Sequence, residues 1–86
     1  MPNVSGTVLC MSGQPLPGAT VMITQSSARF REIAAITSET GRFEFGDLLV
    51  GSYTFSAFSD EGQGLTQITL EHSLDIIIEV RCVNKD

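Results

Sequence analysis

The single histidine of the chain, His72, lies in the stretch Glu71-His72-Ser73-Leu74-Asp75. Ser, His and Asp are the residue types of a nucleophile, its base and the group that orients the base. A working triad is a spatial arrangement, however, and three side chains within four residues of one loop do not ordinarily converge into it. Ser and Asp also favour turns, where they hydrogen-bond locally. Solvated turn residues are the favoured reading, and a cryptic hydrolase centred on His72 is the remote alternative. Cys10 and Cys82 lie far apart in the chain and, with one His, make no zinc ligand set. Asp60 and Glu61 precede Gly62 and Gly64 and offer oxygen donors. Their spacing lacks the alternating ligands and closing Glu of a calcium loop, so it reads as a solvated hairpin. No catalytic residue, cofactor or metal ligand is assigned.

The elements that position these residues belong to a small, acidic chain. At 86 residues it is read as one domain spanning 1–86, with 42% apolar and 17% charged residues. So short a chain buries a modest fraction of its surface and needs an economical core. The net charge is −5, and Arg29, Arg31 and Arg42 are sparse rather than clustered. Without a basic patch there is no electrostatic footprint for phosphates, which argues against nucleic acid, and an anionic membrane surface would repel the chain. The opening Met1-Pro2-Asn3-Val4-Ser5-Gly6 has no basic start and no apolar core. The expectation as written is therefore a soluble cytoplasmic chain or a part of a larger or exported assembly.

Strand signals dominate. Val4 to Cys10 alternate, with Val4, Gly6, Val8 and Cys10 on one face. Gly13-Gln14-Pro15-Leu16-Pro17-Gly18 is a stiffened turn. Its prolines fix φ, hold Leu16 extended and set where the next strand begins, and hence its register. That strand, Ala19 to Gln25, turns Ala19, Val21 and Ile23 to one side. Phe30 to Thr37 reads as a third strand of open phase: Ile33 and Ile36 cannot both face inward, so either a bulge intervenes or one Ile is exposed. A short helix over Arg31 to Ala35 is the rival reading. Ser38 to Gly41 forms a turn with Gly41 at φ > 0, and Phe43 and Phe45 follow on one strand face. Ser52 to Phe58 places Tyr53, Phe55 and Ala57 together, Ser59 to Gly64 is a polar loop, and the last strands are Leu65 to Glu71 and Ile76 to Val83. About seven short strands with regular turns predict an antiparallel Greek-key β-sandwich.

Val4-Ser5-Gly6-Thr7-Val8, the Pro15-Leu16-Pro17-Gly18-Ala19 entry to the second strand, Gly41-x-Phe43-x-Phe45 and Gly51-x-Tyr53 together resemble the carboxypeptidase regulatory-like domain family. The resemblance runs from Val4 to about Phe58 and implies a prealbumin-like (transthyretin-like) seven-stranded sandwich. It marks Gly6, Pro17, Gly18, Val21, Gly41, Phe43, Phe45, Gly51, Tyr53 and Phe55 as turn and core positions. Ser38 and Thr40 stand where the family often has acidic or Asn turn residues, and Val50 where it often has Pro. The fold implied brings the first and last strands into one sheet, which makes Cys10 and Cys82 a candidate thiol pair. Two buried free thiols are the favoured state and a disulfide the alternative.

The family implies a non-catalytic accessory module that contacts or spaces other proteins, which is analogy rather than derivation. The hydroxyisourate hydrolases share the fold, but they carry a second His and a C-terminal Tyr-Arg-Gly-Ser that this chain lacks. Nor does it have the early-strand Lys of the isopeptide-stapled collagen-adhesin domains, since its one Lys is Lys85. The leading expectation is a protein-binding module that uses an exposed edge strand or apolar residues such as Met11, Leu49 and Leu65. Arg29, Arg31 and Arg42 on one side and Glu71, Asp75 and Glu79 on the other are expected to be solvated, or to steer a partner. A carbohydrate-binding module, with Phe30 and Phe58 as its only platforms, is the alternative.

Overall fold

The computed structural model describes residues 2–27, 29 and 34–82. Seven strands follow in order: β1 (Val4–Cys10), β2 (Thr20–Ser26), β3 (Ala34–Ile36), β4 (Arg42–Phe45), β5 (Gly51–Ser59), β6 (Gly62–Leu70) and β7 (Leu74–Val80). They form a three-stranded sheet of order β4-β1-β7 and a four-stranded sheet of order β3-β2-β5-β6. Only the β2–β3 and β5–β6 connections stay within a sheet, and the chain crosses between layers at the other four. That crossing is what lets alternating strands bury one face each against a common core.

The core comes from the inward phase of every strand. Val4 and Val8 of β1, Val21 and Ile23 of β2, Phe43 and Phe45 of β4, Tyr53, Phe55 and Ala57 of β5, Leu70 of β6 and Ile78 and Val80 of β7 are buried. The rings of Phe43, Phe45, Phe55 and Tyr53 form a chain of tilted and edge contacts at 5.4–6.0 Å between centroids. This geometry suits the ring quadrupole better than face-to-face stacking. Gly6 completes the packing: a side chain there would overlap the Phe43 ring.

Four details differ from the sequence reading. The sandwich is not wholly antiparallel, because β1 pairs with β7 in parallel from Val4↔Leu74 to Cys10↔Val80. A parallel neighbour requires a crossover rather than a hairpin, and here most of the domain intervenes. The third strand is confined to Ala34–Ile36. Ile36 points outward, while Phe30, Ile33 and the helix alternative at Arg31 and Glu32 lie outside the described residues. The polar loop before β6 shrinks to Asp60 and Glu61, with Ser59 paired to Gly62 and Ala57 to Gly64. The last strand starts two residues early, at Leu74, and ends at Val80.

The two glycines after Glu61 have a packing role. At Gly62 a side chain would strike the Arg81 carbonyl, and at Gly64 the Glu79 carbonyl. Their missing side chains let β6 close onto β7, so the two sheets are pinched together along that side. Along the other side, β3 and β4 border an open groove of about 410 Å³ lined by Ser5, Ala35, Ile36, Arg42, Phe43 and Glu44.

The stiffened turn is held by one buried residue. Thr37 Oγ1 donates to the Leu16 carbonyl at 2.7 Å and accepts the Ala19 N–H at 2.8 Å. The Thr37 backbone bonds Ala19 and Gly18 as well. Leu16 is buried, and its N–H reaches the Val8 carbonyl. Pro17 itself is exposed, and Gly18 takes φ 71°, where other residues are strained.

Candidate interaction surface

The residues singled out for chemistry are occupied by structural tasks or lie apart. Ser73 Oγ accepts the Asn3 N–H at 3.0 Å, which ties the start of β1 to the β6–β7 turn. The Asp75 carboxylate accepts from Arg42 Nη1 at 3.1 Å and from Ser5 Oγ at 3.4 Å. His72, just before Ser73, is exposed. Asp60 and Glu61 sit in the β5–β6 turn, where Ser59 Oγ accepts the Glu61 N–H. Among the described residues, no group of three His, Cys, Asp or Glu side chains is placed to hold a metal ion. No helix among them is long and apolar enough to cross a membrane.

Cys10 and Cys82 are joined as a disulfide, with their Cα atoms 5.4 Å apart and a sequence separation of 72. This replaces the favoured reading of two reduced thiols. Parallel pairing places Cys10 opposite Val80, and two further residues return the chain to the Cys10 side chain. The spacing gave no hint of that pairing.

The turn positions follow backbone need. Gly41 takes φ 78° with the Val8 carbonyl directly over it, so neither the conformation nor the space admits a side chain. Ser38 Oγ accepts the N–H groups of Thr40 and Arg42 and meets Thr40 Oγ1 at 3.1 Å. Two hydroxyls thus do what a carboxylate or amide does in other turns of this kind. Gly51 opens β5, and the Tyr53 hydroxyl donates to the Leu49 carbonyl across the turn before it.

What remains exposed divides sharply between the two sheets. On the outward face of β4-β1-β7, Arg42 lies beside Thr7 and reaches Asp75, with Glu44 and Glu79 on the same face. The cationic and acidic groups, expected to be solvated or to steer a partner, meet at Arg42 and Asp75. Such an exposed pair contributes about 0–1 kcal/mol.

On the outward face of the other sheet, the strand registers set Ile36, Thr20, Phe58 and Gln63 side by side in one row. Ala34, Met22, Ser56 and Leu65 form the next. A β-bulge between Ile23 and Gln25 follows, and the third row is Gln25, Thr54 and Gln67. No ionisable side chain stands in these rows. Ile36 and Leu65 are 62% and 64% exposed, Met22 and Phe58 37% and 38%. Ser56 and Thr54 also point outward yet are only 6% and 8% exposed, sunk between larger neighbours. Thr24 of the bulge bonds both central-strand positions, meeting Ser56 Oγ at 3.1 Å and donating to the Thr54 carbonyl. Of the apolar residues expected at a partner surface, Leu65 belongs to this face, whereas Met11 and Leu49 are exposed in separate turns. Phe58 and Ile36 were not among them. Their pairing across β2 was invisible without the register.

Beyond the bulge, the sheet end opens into a cleft of about 680 Å³. Its lining includes Gln25, Ser27, Ser52, Thr54, Gln67 and Thr69, so it is hydroxyl- and amide-rich and uncharged.

Comparison with known proteins bears on both fold and family. No curated protein matches the sequence. Among solved structures, a DUF3823 family protein from Parabacteroides merdae superposes with a TM-score of 0.73 at 16% identity, over 94% of this chain and 46% of that one. A chain of a type II cohesin–X-dockerin complex from Acetivibrio cellulolyticus gives a TM-score of 0.68 at 18% identity, over 93% and 58%. The chain thus spans about half the length of these two proteins. A 5-hydroxyisourate hydrolase from Klebsiella pneumoniae gives 0.67 at 19% identity, over 98% and 93%. At such identities the likeness is one of fold, and it establishes the prealbumin-like sandwich. The model of the carboxypeptidase regulatory-like domain matches residues 3–80. From the paired strands through the Gly41 turn to the Tyr53 core, this chain belongs to the carboxypeptidase regulatory-like domain family.

Proposed function

We propose that this domain is a non-catalytic accessory module that binds or spaces a protein partner. The observation that carries the reading is the uncharged outward face of β3-β2-β5-β6, where Met22, Ile36, Phe58 and Leu65 stand exposed in two adjacent rows. Clustered large apolar side chains on a soluble surface mark contact sites, whereas scattered ones do not. The family supports the reading. So does the use of Ser73 and Asp75 in bonds to Asn3 and Arg42 within the fold.

The direct test is affinity capture with gentle crosslinking from lysate of the protein's own source, comparing the wild-type chain with Leu65→Gln. A protein captured saturably by the wild type and lost with the variant is the expected result. Equal capture by both would remove this face from the contact.

A small carbohydrate-binding module is the second reading, favoured by the neutral hydroxyl- and amide-lined cleft beside the bulge. It ranks below the first because Tyr53, the aromatic residue at that cleft, is buried and offers no stacking platform. Binding to a glycan array that Phe58→Ala abolishes would reverse the order.

A further inference from the structure

We infer that the outward face of β3-β2-β5-β6 packs against the same face of a second copy of this chain, forming a symmetric dimer. The inference rests on the interaction-module reading and names the partner of its apolar face.

Across the first row the side chains run large, small, large, polar: Ile36, Thr20, Phe58, Gln63. Across the second they run small, large, small, large: Ala34, Met22, Ser56, Leu65. Large and small positions therefore alternate in both directions over β3, β2 and β5, while Gln63 and Leu65 of β6 both project. The low exposure of Ser56 shows that this position, between Met22 and Leu65, is a true depression. Packed sheets interdigitate side chains across a gap of about 10 Å. A pattern in which each projection adjoins a depression fits its own copy after a two-fold rotation, as an isologous interface requires.

Charge selects the same occupant. The chain carries a net charge of −5, so two copies repel wherever acidic groups meet. On the other sheet face they would oppose Glu44, Asp75 and Glu79, with Arg42 already engaged by Asp75. The four-stranded face sets no ionisable group against its counterpart in these rows. Thr20, Gln63 and Gln67 around the apolar quartet each have donors and acceptors, so they can pair with their own kind across a two-fold axis.

Size bounds the strength. Four strands about 4.8 Å apart and at most nine residues long give a face no larger than about 600 Å². A standard interface buries about 800 Å² per partner. The dimer is therefore concentration-dependent rather than permanent.

Sedimentation velocity on the 86-residue chain over a concentration series tests this, with Leu65→Gln and Met22→Thr as face variants. Ile77→Thr is the control: Ile77 is 59% exposed but lies on the other sheet face. All three positions are at the surface, and a cooperative melt verifies that each variant folds. The expected result is a species of twice the monomer mass that grows with concentration. Each face variant weakens it about tenfold or more, the scale of losing an interface anchor, and the control leaves it unchanged. A wild type that stays monomeric at every concentration overturns the inference. So does a dimer that survives both face variants, which would place the contact elsewhere, such as the β3 or β4 edge. The interaction-module reading fails separately, on the capture experiment: a different protein bound by the monomer and lost with Leu65→Gln would sustain that reading while self-association falls.

Discussion

The outward faces of the two sheets are built on one core and spend their residues differently. On β4-β1-β7 the outward positions include Arg42, Glu44, Asp75 and Glu79, and the Arg42–Asp75 pair spans the sheet over Thr7. On β3-β2-β5-β6 the same positions carry Thr, Ser, Gln and four large apolar side chains. Both faces obey the period of two, so alternation alone treats them alike. The difference lies in what solvation demands. A charged face holds water and keeps copies apart, whereas an uncharged face with apolar projections loses little on being covered.

That contrast can be broken from its foundation outward. Tyr53→Ala removes a fully buried ring that touches Phe55 and a hydroxyl bonded across the β4–β5 turn. It should cost about 3–5 kcal/mol in denaturant unfolding and dissolve both faces together. A loss below about 1 kcal/mol would show that β5 does not face inward as described.

Cys82→Ser is next. It releases a closure over a sequence separation of 72 that ties the segment after β7 to β1, where both cysteines pack against the core. The expected loss is about 2–4 kcal/mol, and reductant should lower the melting temperature of the wild type but not of the variant. Identical melts with and without reductant would mean the thiols are not joined in solution.

Thr37→Val keeps the shape of the corner that links β3 to β4 but removes its hydroxyl. The Ala19 N–H and the Leu16 carbonyl then lose a partner in a buried site, which should cost about 2 kcal/mol. Thr37→Ser should recover most of that loss, and an equal cost for both variants would assign the effect to packing instead.

The smallest effect belongs to the charged face. Arg42→Ala should change stability by less than about 1 kcal/mol, because both members of its ion pair are exposed and screened. A larger cost would show that the pair braces the three-stranded sheet rather than merely decorating it.

Much of the architecture was legible in the chain. The alternation of Val4, Gly6 and Val8 marks β1 with the bounds that the structure has, because a strand with one buried face must alternate. The Phe43-x-Phe45 and Tyr53-x-Phe55 pairs carry the same signal. Errors fell where the local pattern is weak or misleading. Glycine and acidic residues at Asp60 to Gly64 read as a loop, but Gly62 and Gly64 are in a strand because β7 lies too close for side chains. Thr37 looked like the tail of a strand, and only its two buried bonds reveal that it anchors the proline turn.

The sequence by itself determined the inward phase of β1, β2, β4 and β5, the turns at Pro15 to Gly18 and Ser38 to Gly41, and that no dense charge of one sign is present. Those are local consequences of side-chain period, restricted backbone dihedrals and composition. Tertiary structure alone decided which strands are neighbours: that β1 runs parallel to β7, that Cys10 meets Cys82, that Arg42 meets Asp75 and that Ile36, Met22, Phe58 and Leu65 share one surface. These residues come together through strand order and register, which depend on how the whole core packs. No short stretch of the chain contains that information.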